Sequence, residues 1–157
     1  MQVEIRTATT DDLAVLRDLY RRSSLSNDSD RELLGRRPEL LEWPADAVAT
    51  GGTRVAVVGG RLVGFSTLVP HGATGEVDDL FVDPEWMRRG IGRRLVEDMA
   101  ATAAAAGVDA LEVDANPAAL TFYEGVGFAG IGEARLLHGH GVRMRLPVRR
   151  KGPERDR

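Results

Sequence analysis

The chain has 157 residues, 43% of them hydrophobic and 29% charged, with a net charge of −3; this suits one globular domain with a sizeable core. That balance gives no support for bulk attraction to nucleic acid or an anionic membrane, and no run approaches the roughly 18 apolar residues that span a bilayer. Cysteine is absent, which excludes disulfides, thiolate metal sites and a cysteine nucleophile, and a cytoplasmic setting is expected.

Residues 2–6 alternate as a half-buried strand does, without the basic-then-apolar layout of a secretion signal. Thr9-Thr10-Asp11-Asp12 offers a hydroxyl cap and early acids to a first helix, whose apolar stripe is Leu13, Leu16 and Tyr20, with Val15 and Leu19 beside it. Residues 23–31 are rich in Ser, Asn and Asp and read as a loop; 31–42 read as a short helix ending near Trp43-Pro44. Arg54–Val58, Gly59-Gly60 and Arg61–Val69 make a hairpin pattern, since paired glycines tolerate the positive φ of a primed turn. A further strand is predicted over 75–82.

A helix follows Gly90 and runs to about Ala106, with Gly107 placed to end it. A strand at 109–114, a short helix at 117–125 opened by Pro117, and strands at 128–134 and 141–146 complete the order. Strands and helices mix without regular βαβ alternation. One domain is expected over 1–147, followed by a flexible charged tail at 148–157.

The stretch from Val77 to Leu95 carries the most chemistry. It reads as a strand, a turn marked by Asp83-Pro84, and a helix opened by Gly90-Ile91-Gly92. The first N–H groups of such a helix lack internal partners and lie at the positive end of its dipole, which suits a phosphate or pyrophosphate. Arg88, Arg89, Arg93 and Arg94 add matching charge. A second segment, Asn116-Pro117-Ala118-Ala119-Leu120-Thr121-Phe122-Tyr123-Glu124-Gly125-Val126-Gly127-Phe128, lies one helix and one strand later.

Together these residues resemble the GNAT family of N-acetyltransferases, which transfer an acetyl group from acetyl-CoA to an amine. The family's (Arg or Gln)-x-x-Gly-x-(Gly or Ala) turn matches Met87-Arg88-Arg89-Gly90-Ile91-Gly92, and its Asn…Phe-Tyr-Glu…Gly-Phe segment matches Asn116 to Phe128. Met87 stands where the family carries Arg or Gln, which removes one polar contact. The resemblance covers roughly residues 2–146. It implies an α/β (mixed α+β) fold: a central twisted mixed sheet of about seven strands, helices on both faces, and a splay between the fourth and fifth strands.

The resemblance also implies roles. Leu80, Phe81 and Val82 offer strand backbone to the pantetheine arm. Arg88, Arg89, Gly90, Ile91, Gly92 and Arg93 hold the pyrophosphate, and Asn116 hydrogen-bonds the arm farther along. Tyr123 reaches the sulfur as general acid; the competing reading is a buried aromatic beside Phe122. Counting back from the glycine turn gives Glu76 as base, directly or through water. Glu76 and Asp78 share one strand face and Asp79 takes the other. Asp78 can attract a cationic amine, although all three acids also suit a solvated strand edge.

His138 and His140 can line the acceptor pocket, but two histidines without nearby Cys or a carboxylate set do not make a metal site, so none is expected. Acetyl-CoA is the expected co-substrate, and a small-molecule or peptide amine the expected acceptor. Homodimerisation is common in the family, and no residue here demands it. Two competing readings are a CoA-binding sensor without catalysis and a phosphotransferase. The second lacks a P-loop Gly-x-x-x-x-Gly-Lys-(Ser or Thr).

Overall fold

A computed structural model of the chain describes residues 1–25, 32, 35–136 and 139–148. The strands are β1 (Glu4–Thr7), β2 (Thr53–Val58), β3 (Arg61–His71), β4 (Thr74–Val82), β5 (Ala110–Ala115), β6 (Ala129–Leu136) and β7 (Gly139–Pro147). The helices are α1 (Leu13–Leu25), α2 (Asp46–Thr50), α3 (Ile91–Ala105) and α4 (Leu120–Gly125), with 3-10 turns at Thr10–Asp12, Pro38–Leu41, Pro84–Trp86 and Pro117–Ala119. One seven-stranded sheet runs in the order β1-β2-β3-β4-β5-β7-β6. β4 and β5 are parallel, paired only through Thr74↔Ala110, Gly75↔Leu111 and Glu76↔Glu112, and β4 continues to Val82 beyond that ladder. This is the expected splay.

The chain divides into two compact units, one of Met1–Thr67 with Asp79–Leu95, the other of Leu68–Asp78 with the chain from Val96 onward. In the first, neighbouring β2 residues point to opposite faces and join separate cores. Val55 packs with Leu16, Leu19, Trp43, Val48 and Phe65 on the α1 face. Ala56 packs with Val3, Val63, Ile91 and Leu95 on the face covered by the first turn of α3. Val63 and Phe65 reach different faces because a bulge leaves Val63 unmatched between the pairs Ala56↔Gly64 and Val57↔Leu62. Gly64 lets α3 settle closely: a Cβ there would lie 3.0 Å from Phe81 O and 3.2 Å from both Ile91 Cγ2 and Leu95 Cδ1.

In the second unit β5 pairs with β7 and β7 with β6, all antiparallel. Leu111, Val113 and Met144 are buried, whereas Glu112, Arg143 and Arg145 meet on the other face in ion pairs. Gly141 permits the closest backbone approach, since a Cβ there would come within 2.3 Å of Ala115 O.

Most predicted elements recur with shifts of one or two residues. Two differ. α1 continues through residues 23–25, which were expected to begin a loop, and the remainder of that loop lies outside the described residues. The helix expected at 31–42 also lies partly outside them, and its end is the 3-10 turn Pro38–Leu41. Helix α2 was not anticipated. The main chain is still tied at Val148, whose N–H donates to Asp109 O at 2.9 Å, while 149–157 lie outside the described residues. Among the described residues no helix is long and apolar enough to cross a membrane.

Candidate active site

The glycine turn is set up by Asp83. Its side chain is fully buried and accepts the Glu85 N–H at 3.0 Å, capping the turn that Pro84 opens. Arg22 reaches it at 3.0 Å and Arg61 at 3.6 Å. Burial alone would push the carboxyl pKa up, but the Glu85 N–H and the two guanidinium groups outweigh it and hold the value below the ordinary range.

Beyond that turn the backbone becomes left-handed twice, at Arg88 (φ +64°) and Gly90 (φ +81°). A side chain at φ +64° costs about 1–2 kcal/mol, so Arg88 is strained where anion binding was expected. The first amide with a helical acceptor is that of Arg94, which donates to Gly90 O at 3.1 Å. The amides of Ile91 and Gly92 therefore precede the helix's own supply of acceptors. Arg89 stacks on Trp86, 4.7 Å from the ring centroid, with Arg61 on the same ring at 6.0 Å. Met87 is exposed and offers no polar atom to replace the family's Arg or Gln.

Along β4, Leu80 and Val82 face the α3 side and Phe81 the α1 side. Phe81 stacks on Phe65 at 5.4 Å and meets Tyr20 edge-on at 5.2 Å. Val82 O already accepts the Ser23 hydroxyl at 3.1 Å. Asp79, on the Phe81 face, accepts the Trp43 indole N–H at 3.0 Å and a hydrogen bond from Thr67. Burial raises its pKa against the lowering effect of those two donors. Sequence reasoning gave Asp79 no role, because its partners lie far away along the chain.

In the second unit Glu76 is engaged through both oxygens, each 2.6 Å from a nitrogen of Arg143. Arg143 also meets Glu112 at 2.8 Å and Asp114 at 3.0 Å, while Arg145 takes the other Glu112 oxygen at 2.8 Å. Glu76, above all, raises the Arg143 pKa, and Arg143 lowers that of Glu112. Sequence reasoning placed Glu76 on this strand as a base but offered no sign of the arginine that engages both its oxygens. Asp78 is exposed.

Asn116 caps the turn opened by Pro117: its Oδ1 accepts the Ala119 N–H at 3.0 Å, which leaves the amide NH₂ to donate. Tyr123 is 7% exposed, held edge-on by Phe122 and Phe128 at 5.2 Å each, and burial pushes its phenol up to about 12. At neutral pH it therefore keeps its proton and can only donate it. His140 is exposed on the β6–β7 hairpin, opposite Arg135. His138 lies outside the described residues. Among the described residues no group of three or more His, Cys, Asp or Glu is placed to hold a metal ion.

Residues 13–128 match the model of the acetyltransferase (GNAT) family. The chain belongs to that family. It is 43% identical over 85 residues to the N-alpha-acetyltransferase RimI of Mycobacterium tuberculosis, an alignment covering 51% of this chain and 53% of that protein. The chain thus spans about half the length of the curated relatives it matches. Its fold is that of the PaiA N-acetyltransferase of Thermoplasma acidophilum, solved with coenzyme A (TM-score 0.77, 18% identity, 94% of this chain and 99% of that one). It is likewise that of the ribosomal-protein-S18-alanine N-acetyltransferase of Escherichia coli (TM-score 0.71, 20% identity, 99% and 100% covered).

Proposed function

We propose that this GNAT chain transfers an acetyl group from acetyl-CoA to a primary amine. The observation that carries the reading is the turn at Met87–Gly92, with left-handed Arg88 and Gly90 placed immediately before a 15-residue helix. Successive main-chain N–H groups in such a turn form a concave anion site, and the helix dipole adds to it. These features fit a pyrophosphate. Arg88 and Arg93 supply charge, while Arg89 braces the turn through Trp86.

Acetyl-CoA, when bound, supplies the activated thioester carbonyl. In this reading the backbone of Leu80–Val82 lines the pantetheine arm and the Asn116 amide donates to it. Tyr123 holds the proton that the departing sulfur needs. Glu76 does not take the proton of the amine; it anchors Arg143 and, with Glu112 and Asp114, fixes the charge of that sheet face. The acceptor class is a small-molecule amine or a peptide amine, and the RimI likeness supports including free protein N-termini. A cytoplasmic setting fits such acceptors.

Calorimetry with acetyl-CoA, followed by a thiol-release assay on alkylamines and peptides with unblocked N-termini, tests the reading. Binding plus thiol release with at least one amine is expected. Binding with no release on any amine would support the sensor instead, and absence of binding would remove the pyrophosphate assignment altogether.

A further inference from the structure

Among the described residues, carboxylates in hydrogen-bond networks include some held by guanidinium groups and one held by neutral donors. Asp12 meets Arg6 at 2.8 Å, Asp83 meets Arg22 at 3.0 Å, and Glu76 and Glu112 meet Arg143 at 2.6 and 2.8 Å. Each of these guanidinium groups both orients and neutralises its acid. Asp79 is oriented differently. Its partners are the Trp43 indole N–H at 3.0 Å and the Thr67 hydroxyl. Thr67 shares a buried 3.0 Å hydrogen bond with Thr53. A hydroxyl has one proton to give, so while Thr67 donates to Asp79 it accepts from Thr53. Two hydroxyls in series and one indole thus aim their protons at a single carboxylate, and all four residues belong to the first compact unit.

Neutral donors fix a carboxylate in place without cancelling its charge. A partly buried anion held this way is complementary to a cation that brings its own N–H groups, such as an alkylammonium. Its place on β4 also matters. Asp79 lies three residues beyond Glu76↔Glu112, the last β4–β5 pair, and immediately before Leu80–Val82.

We propose that Asp79 is the carboxylate that receives the ammonium group of the acceptor and removes its first proton, with Trp43 and Thr67 as positioning residues. This rests on the acetyl-transfer reading above. The proton balance closes. One N–H bond of the ammonium breaks and an O–H bond forms on Asp79, which later releases that proton to water. The nitrogen pair so exposed forms the N–C bond as the C–S bond breaks. A second nitrogen proton, shed as the amide forms, replaces the one that Tyr123 gives to sulfur. The raised pKa of Asp79 makes it a stronger proton acceptor than an ordinary exposed aspartate.

The indole N–H of Trp43 reports directly on this site. In ¹H–¹⁵N spectra of the full chain with CoA present, its signal, assigned by comparison with Trp86→Phe, should shift saturably on titration with n-butylammonium and barely with n-butanol. The shift should vanish in Asp79→Asn. An equal response to the alcohol, or a response that survives Asp79→Asn, would overturn the proposal. Where an amine turns over, Asp79→Asn should lower kcat/KM about 100-fold on a protonated alkylamine, with little change on an aromatic amine that is neutral at the assay pH. Equal losses on both would reduce Asp79 to a structural role. If Asp79→Asn does not fold, Thr67→Val removes one donor and should raise KM for the alkylamine alone; an unchanged KM would count against the site. A specific ammonium shift with no turnover on any amine sinks the transfer reading and the proton-removal step but spares Asp79 as the ammonium site. Turnover without the shift spares the transfer reading and sinks the Asp79 assignment.

Discussion

Arg143 on β7 grips both carboxylate oxygens of Glu76 on β4, 67 positions away along the chain, at 2.6 Å each. The two side chains are 24% and 23% exposed, so water screens the pair only in part. Removing one partner of a buried ion pair costs about 3–5 kcal/mol, and partial exposure brings Arg143→Met to roughly 2 kcal/mol.

Urea denaturation of Arg143→Met across pH gives a sign to check. The folded pKa of Glu112 is lowered, chiefly by Arg143. Its stabilisation is complete above the ordinary glutamate value and is lost as pH falls through the depressed one. The gap between wild type and variant should therefore be widest near neutrality and narrow in acid. A gap constant with pH would mean that packing, not charge, is what the arginine supplies.

Gly90 and Arg88 should separate backbone from charge. Gly90→Val puts a β-branched residue at φ +81°, which costs at least about 1–2 kcal/mol and distorts the turn. Acetyl-CoA affinity by calorimetry should fall tenfold or more, on the order of 1.4 kcal/mol. Arg88→Gly relieves the strain at φ +64° while adding chain entropy of about 0.5–1 kcal/mol. Its melting temperature should stay close to wild type although affinity drops, which isolates the guanidinium contribution.

Tyr123→Phe should lower kcat about 100-fold at unchanged acetyl-CoA affinity, as loss of a general acid does. The phenol titrates near pH 12 in the folded chain against an ordinary value of 10.0. Any fall in activity between pH 8 and about 10 must then come from another group. Protonated Tyr123 favours the folded state, so stability should decline as pH rises from 10 towards 12, by about 2–3 kcal/mol in all. Tyr123→Phe should remove that decline in alkaline denaturation curves.

Gly141→Ala tests the fold itself. A Cβ 2.3 Å from Ala115 O can be relieved only by moving backbone, and overpacking of this kind costs about 3 kcal/mol. Thermal melting should show a loss of several degrees. An unchanged melting temperature would mean that β5 and β7 lie farther apart than described.

What the sequence disclosed and what it hid follow from distance along the chain. The apolar stripe Leu13, Leu16, Tyr20 and the Gly59-Gly60 turn are local signals, and both elements form, α1 running past its expected end to Leu25. Pro117 likewise marked where the next short helical segment opens, although the cap that Asn116 supplies there was not anticipated. The Arg143–Glu76 pair and the Trp43–Asp79 hydrogen bond span 67 and 36 positions, and nothing near either residue points to its partner. The same holds for Gly64 and Gly141, whose need for a small residue comes from α3 and β5 respectively. For Glu76, strand parity shows which way the side chain faces but not that Arg143 meets it there.

Asp83 is fully enclosed, and Arg22 and Arg61 reach it from α1 and β3. Losing Arg22 would leave the enclosed Asp83 charge to the more distant Arg61 and the Glu85 N–H. If Asp83 were neutralised, Arg22 and Arg61 would each keep a second acid, Asp18 at 2.9 Å and Glu85 at 3.3 Å. The dependence therefore runs one way: sister sequences that keep Asp83 should keep a cation at position 22 or 61, while those that lose it are free to retain either arginine.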